Sequence, residues 1–350
     1  MLMIRKQPSF VKSLDLTDAL WYHPPQEVLR MKWFAPEIYP AFRCIGGRCQ
    51  HSCCVGWQVC IDPQSAKRYR GEASPFGQRL RDGMVWNQDG PSFRMDEQGR
   101  CCFLNQDGLC DLILQLGPDS LCQICQDHPR FRNHWAGRTE LGLGLCCEEA
   151  ARLWLTHPKP MKLILLEDDG QPDEADARES AFLAQRAYLF AILQRRNIPM
   201  ELRLRRILTV SGTVLAPASA WDSRLSQLER LDAAWTESLA LLPFADGAPL
   251  PATPEWKRAW EQLTCYFLYR HLSGKDFRRG VAFAVQSTLL IRRLCQGQKA
   301  RRGTVSFQQL LAFARQYSSE VEYSQENLTA MMKHAEQKTR QLPCLEAGAV

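Results

Sequence analysis

The sequence predicts a mainly α chain in which an irregular, cysteine-rich N-terminal domain is followed by a helical bundle. Three observations predict it. Twelve of the fifteen cysteines fall between Cys44 and Cys147, and only Cys265, Cys295 and Cys344 lie beyond. From about residue 181 onward, apolar residues recur at helical spacing between recognisable start and stop signals. Between these stretches runs "EDDGQPDEADARES", acidic, containing Gly and Pro, and without an apolar period. The expected organisation is a leader over 1–30, a cysteine-rich domain over 31–166, an acidic linker over 167–180 and a helical domain over 181–350.

The helices are read in order. Asp176 or Ser180 caps a first helix that carries Phe182, Leu183, Leu189, Phe190 and Leu193. A second restarts after Pro199 in "NIPMELRLRRILTV", and "LSQLERLDAAWTESLALL" reads as a third. "TPEWKRAWEQLTCYFLYRHLSG" opens with Thr253 as N-cap and Pro254 at the first helical position, and stops at Gly274. "DFRRGVAFAVQSTLLIRRLCQG" repeats that grammar from Asp276 to Gly297, and "SFQQLLAFARQYS" and "SQENLTAMMKHAEQKTRQL" follow. The N-terminal half has short apolar segments among frequent Gly, Pro and Asp, with strands expected only near "GWQVCID" and "PSFRMD". Ligand bonds can do part of the work of a core in such a segment.

Composition narrows the class. With 350 residues, 45% hydrophobic and 23% charged, the chain can bury a full core and has no need of disulfides to stay folded. The N-terminus lacks the apolar run of a secretory signal, and "MKLILL" is far too short to span a bilayer. A cytoplasmic protein with no membrane partner is expected, in a compartment where thiols stay reduced. The net charge of +6 is mildly basic, and the arginine pairs, such as Arg195–Arg196 and Arg292–Arg293, are spread over separate helices as solvated faces. No nucleic-acid partner is expected, because no basic patch is concentrated.

The thiols are therefore read as ligands. "RCQHSCCVGWQVCID" gives C-x3-C-C at Cys49, Cys53 and Cys54. Cys101, Cys110 after a D-G turn, the C-x2-C of Cys122 and Cys125, and Cys147 follow at a distance. Short-spaced groups separated by long loops are how a chain brings four or more soft thiolates to one point, so the N-terminal domain is expected to bind a metal or a cluster. Zinc and a [4Fe–4S] cluster each take four thiolates, and the spacing alone does not choose between them. Cys265 and Cys295 sit in amphipathic helices and read as buried small hydrophobes, a reading that also fits Cys60, Cys102 and Cys146.

"YPAFRCIGGRCQHSCCVGWQVCID", "CCFLNQDGLCDLILQLG", "LCQICQDHPRF" and "CCEEAARLWL" together resemble the flagellin lysine-N-methylases. That family shares its C-x3-C-C element with a broader group of zinc- or iron-chelating cysteine domains. "LQRRNIPMELRLRRIL" and "ARQYSSEVEYSQENL" continue the likeness through the helical half, from about Tyr39 to Leu328. The chain departs from the family at Cys102, where a Pro is usual, at His128, where Tyr or Phe is usual, and at Glu148, where the family has Cys-Pro-Glu. The matched cysteines are Cys44, Cys49, Cys53, Cys54, Cys101, Cys110, Cys125 and Cys147. The resemblance implies an enzyme that methylates lysine ε-amino groups of flagellin with S-adenosyl-L-methionine, and a [4Fe–4S] cluster as its centre, with zinc as the alternative. A non-catalytic zinc- or iron-chelating, redox-responsive binding module is the runner-up.

Lysine methylation needs a neutral amine, obtained by desolvation or by a base. Asp62, Glu148 and Glu149 are the carboxylates near the cysteines, and Trp57 and Trp135 could line a lysine channel. For each, a turn residue, helix-start acid or core aromatic is the commoner role. "ELGLGL" imitates a nucleotide-binding E-x-G-x-G loop, but "RNHWAGRT" before it is no apolar strand, so it is read as coincidence. The donor site is unassigned.

Overall fold

Residues 32–88, 90–135, 137–168, 177–245, 247–274 and 276–336 are described by a computed structural model. The leader, Asp176, Cys344 and most of the acidic linker lie outside them.

The first element is a strand, β1 (Lys32–Pro36). The chain then makes an excursion that carries ten of the cysteines, with helices α1 (Pro63–Arg70) and α2 (Gly77–Asp82), a hairpin of β2 (Met84–Asn87) and β3 (Gly90–Phe93), and short helices α3 (Asp111–Leu116) and α4 (Gln123–Asp127). It returns in the hairpin β4 (Arg130–Trp135) and β5 (Arg138–Leu143), then α5 (Glu148–Thr156) and β6 (Leu163–Glu167). The four long-range strands form one sheet in the order β4-β5-β1-β6, with β1 parallel to β5 and antiparallel to β6.

The excursion has a small core of its own. Tyr69, Leu80, Phe93, Phe103 and Leu112 are each at most 1% exposed, and the Phe93 and Phe103 rings meet edge-on at 5.0 Å. The sheet and α5 belong instead to the large core, which runs from Ile38 through Leu143 and Trp154 to Ala335. The thiol-rich lobe is thus an insertion between two strands of a sheet that is packed on the helical half.

The helical half follows with α6 (Ala177–Leu193), α7 (Met200–Ser211), α8 (Ala218–Ser226), α9 (Ala233–Leu239), α10 (Pro254–His271), α11 (Phe277–Arg302), α12 (Phe307–Tyr317), a π-helical turn at Ser318–Glu322 and α13 (Gln325–Ala335). The fold is mainly α, as the periodicity predicts. Helices α10 and α11 are buried on almost every face, as central helices are. Thr253 caps α10 by accepting from the Trp256 amide, and Ser306 opens α12 with a full capping box.

Several expectations need correction. The expected third helix is two, because Asp232 caps a fresh start at α9 and Glu320 accepts from the Leu231 and Asp232 amides at the break (3.1 and 2.6 Å). Helix α10 ends with Leu272 as its cap, two residues short of Gly274, and Ser180 lies inside α6 rather than before it. Helix α11 does not stop at Gly297; that glycine admits the Leu241 carbonyl, and the helix ends with Gly303 in a left-handed cap (φ 78°). "RNHW" ends β4 and "MKLILL" largely becomes β6, strands the sequence pattern does not announce, while "GWQVCID" makes only an isolated bridge, Cys60 to Ser92. Nor are the arginine pairs all solvated: Arg196 and Arg203 converge on the buried Glu261, Arg292 meets Glu201, and Arg293 grips Asp222.

"ELGLGL" begins inside β5 and runs two residues past its end. Glu140 is fully buried and takes two hydrogen bonds from Arg186 (2.6 and 2.7 Å) while pairing with Arg138 (2.5 Å). Gly142 and Gly144 are small because a side chain there would strike the Phe131 ring and the Tyr323 hydroxyl. Gly144→Ala is accordingly expected to lower stability by about 1–3 kcal/mol, read as a lower urea midpoint at unchanged slope.

Candidate functional site

All eight matched cysteines are free thiols, and none of the described cysteines forms a bridge. Backbone pairing brings them together from distant stretches. The Cys101 amide donates to the Cys54 carbonyl (2.8 Å), and Cys110 pairs across a bridge with Leu104, three residues after Cys101. Two groups emerge from which thiols influence one another electrostatically. Cys54 acts on Cys101, Cys110 and Cys125. Cys44, Cys49, Cys53 and Cys147 form the other set, and Cys53 touches both.

Proton sharing in neighbouring pairs sets their acidity. The Cys53 thiol hydrogen-bonds Cys54 and brings it down to about 7, the bond outweighing burial. Cys125 does the same for Cys122, and Cys101 for Cys102, lowering each. Burial pushes Cys49 up to about 11 and raises Cys147. A soft-donor site needs thiolates, and this lobe can supply them most readily at the lowered member of each pair. Among the described residues, however, no three or more His, Cys, Asp or Glu side chains are placed to hold one metal ion. The donor chemistry fits a thiolate centre, while the side chains as they stand are not closed around one.

The three carboxylate candidates separate. Asp62 caps α1 through the Ser65 amide (2.8 Å) and also accepts from Gln123 at the start of α4 (2.9 Å). Glu149 is paired with Arg152 (2.6 Å) on its own helix. Of the three, Glu148 has a side-chain contact with a thiol: it accepts from the Gln50 amide (2.9 Å) and lies 3.6 Å from both Cys49 Sγ and His51 Nδ1. The tryptophans separate too. Trp57 donates to the Cys53 carbonyl (2.7 Å), whereas Trp135 stacks on Phe182 at 4.9 Å inside the helical core and lines no channel beside the cysteines.

A buried polar network joins the lobe to the helices, and it was not foreseen. Glu322, with its side chain fully buried, accepts from Tyr266 (2.9 Å), is bound by His271 and sits 3.5 Å from Arg270 Nε. The Arg270 guanidinium lies between the Phe131 and Tyr323 rings, 4.8 Å from each centroid. Tyr323 in turn hydrogen-bonds Cys146, next to Cys147. A π-helical turn ends at Glu322, and such turns occur disproportionately at functional sites. Its sequence signal was present in "EVEYSQENL", whose acids look like solvated surface unless the π turn that buries them is known.

His128, expected only as a departure from the family pattern, stands at this junction against Trp57 and Tyr323. Burial, aided by the Arg270 charge, holds its imidazole down at about 4. The folded state therefore favours the neutral ring. That contribution is complete above pH 6.5 and is lost as the pH falls from 6.5 through 4. The stability advantage of the native chain over His128→Gln is expected to narrow by about 3 kcal/mol across that window, measured by urea unfolding at each pH.

The comparisons bear on the helical half. The model of the FliB lysine N-methylase C-terminal domain matches residues 218–345, which contain α8 to α13 and the π-helical turn. The flagellar biosynthetic protein FliU of Salmonella muenchen is 25% identical over 134 residues, 37% of this chain and 79% of FliU. Lysine-N-methylases of Salmonella typhimurium and Salmonella choleraesuis are each 25% identical over 134 residues, 37% of this chain. The match covers 33% of either lysine-N-methylase, so about a third of their length is spanned. No solved structure matches. The matched span supplies Arg270, Glu322 and Tyr323 to the junction, and the thiol lobe lies before it.

No described helix is long and apolar enough to cross a membrane.

Proposed function

We propose that this chain is a protein-lysine N-methyltransferase that transfers methyl groups from S-adenosyl-L-methionine to lysine ε-amino groups of flagellin in the cytoplasm. One observation carries the reading. A span that matches the FliB C-terminal domain meets, where Tyr323 packs on His128, a lobe rich in free thiols. The relatives' own names, lysine-N-methylase and flagellar biosynthetic protein, support the reaction and the flagellar context.

In the reaction the lysine nitrogen lone pair attacks the donor methyl carbon while the carbon–sulfur bond breaks. S-adenosylhomocysteine leaves, and the amine must already have lost its proton or lose it to a base. Glu148 is the carboxylate placed to accept a proton beside the thiols. Cys44, Cys49, Cys53, Cys54, Cys101, Cys110, Cys125 and Cys147 are the residues that would hold a [4Fe–4S] cluster or zinc. A thiolate-held cluster supplies redox chemistry tuned by its surroundings. What the chain itself contributes is a desolvated junction in which charge is compensated internally, by Glu322 on Arg270 and His271.

The runner-up is a zinc- or iron-chelating, redox-responsive module without catalysis. Anaerobically purified protein, analysed for iron, zinc and sulfide and then incubated with flagellin and S-adenosylmethionine, separates the two. Flagellin heavier by multiples of a methyl group supports the transferase. Metal-loaded protein that leaves flagellin unchanged supports the module.

A further inference from the structure

Three aromatic side chains from three separate parts of the chain meet where the thiol lobe touches the matched span. Trp57 comes from the loop after Cys54, His128 from the end of α4, and Tyr323 from the end of the π-helical turn. Their rings form a row, with centroids 6.4 Å apart from Trp57 to His128 and 6.1 Å apart from His128 to Tyr323.

Tyr323 is 42% exposed, yet its hydroxyl reaches inward to Gly144 and Cys146. Trp57 and His128 are part-buried, so the row meets water along part of its length. Two of the rings are held in place: Arg270 backs the Tyr323 ring, and the Trp57 indole N–H is tied to the Cys53 carbonyl (2.7 Å). Two residues beyond Cys146 is Glu148, 35% exposed, the carboxylate that faces the thiols. No described residue hydrogen-bonds the His128 ring nitrogens.

We propose that Trp57, His128 and Tyr323 form the wall along which the side chain of a substrate lysine lies, with the Glu148 carboxylate at its charged end. The proposal rests on the methyltransferase reading and deepens it by naming the acceptor site. Four methylenes ending in an ammonium match an aromatic wall leading to a carboxylate: apolar stem against ring faces, cation toward π density and negative charge. The position also suits transfer, since Trp57 is tied to the Cys53 carbonyl and Tyr323 to Cys146 at the edge of the thiols. An arginine would fit the charge but would bring a bulkier planar head.

Binding separates this proposal from the reaction itself. A fluorescent flagellin-derived peptide with one lysine is titrated, by anisotropy, with the full chain and its variants, alongside the same peptide carrying norleucine. Tyr323→Ala and Trp57→Ala are expected to weaken lysyl-peptide binding at least tenfold. Tyr323→Phe, which keeps the ring, should stay within twofold. Glu148→Gln should erase most of the preference for lysine over norleucine. In turnover, the peptide KM should rise in the alanine variants while the KM for S-adenosylmethionine stays fixed. Far-UV circular dichroism and melting check the fold, and the part-exposed Trp57 gives the readout if Tyr323→Ala unfolds. Unchanged lysyl-peptide affinity in a folded Trp57→Ala or Tyr323→Ala protein overturns the wall, as does a native chain that binds no lysyl peptide. A native chain that binds the peptide through these rings but transfers no methyl overturns the methylation reading and leaves the wall standing.

Discussion

Glu140→Ala is expected to destabilise the chain by about 3–5 kcal/mol, the largest loss from any single carboxylate tested. Glu140 is the hinge of the sheet on the helical half: its side chain is 0% exposed and is held by Arg186 from α6 and Arg138 from its own strand. Arg186 is itself only 3% exposed, with its guanidinium 5.7 Å from the Trp135 ring centroid and 5.5 Å from that of Tyr269. Removing the carboxylate leaves a buried guanidinium without its counter-charge, which costs far more than the lost hydrogen bonds. Glu140→Gln keeps the shape and one acceptor, so it should lose less. Urea unfolding followed by tryptophan fluorescence compares the two. Equal, small losses would mean that water reaches Arg186 when Glu140 is absent.

On the proposed ligand set and activity, replacing Cys54 or Cys125 by serine is expected to lower iron or zinc content and to reduce methyl transfer by at least a hundredfold. Serine keeps the size and a hydroxyl but gives up the soft thiolate that iron or zinc demands. Cys265 and Cys295, both 0% exposed in the helical core, supply the control. Burial raises both thiols, which act as small hydrophobes. Cys265→Ala and Cys295→Ala should retain the full metal content and cost only about 1–2 kcal/mol of stability. Elemental analysis and flagellin mass on all four variants read the outcome. Metal content that survives both lobe substitutions would remove Cys54 and Cys125 from the ligand set.

The helical half was legible because its signals are local. Thr253 before Pro254 and Ser306 three residues before Gln309 announce helix starts that the backbone obeys. Cys265 and Cys295 were placed correctly by amphipathic period alone. The sheet was not legible, because β1 pairs with β5 more than a hundred residues away, and its strands carry charges such as Arg132 and Glu140 at positions a pattern reads as loop. What buries Glu140 is an arginine on α6, and one-dimensional period carries no trace of that partnership.

Residue type marked the thiols of the candidate site, and the C-x3-C-C spacing pointed at Cys49, Cys53 and Cys54 before any fold was known. The network behind them was hidden for a different reason. Glu320 and Glu322 fall in "SSEVEY", which reads as polar surface, yet a π turn directs both acids inward, one to cap α9 and the other to Tyr266 and His271. Trp57 and Trp135 looked equivalent as aromatic candidates, and only the packing of Trp135 on Phe182 separates them.

Intact-mass spectrometry of flagellin after incubation with the anaerobically purified chain and S-adenosylmethionine tests the central claim most directly. A ladder of methyl increments is expected, confined by peptide mapping to lysines and absent with the Cys54→Ser protein. Flagellin of unchanged mass, from a folded and metal-loaded chain, would contradict it.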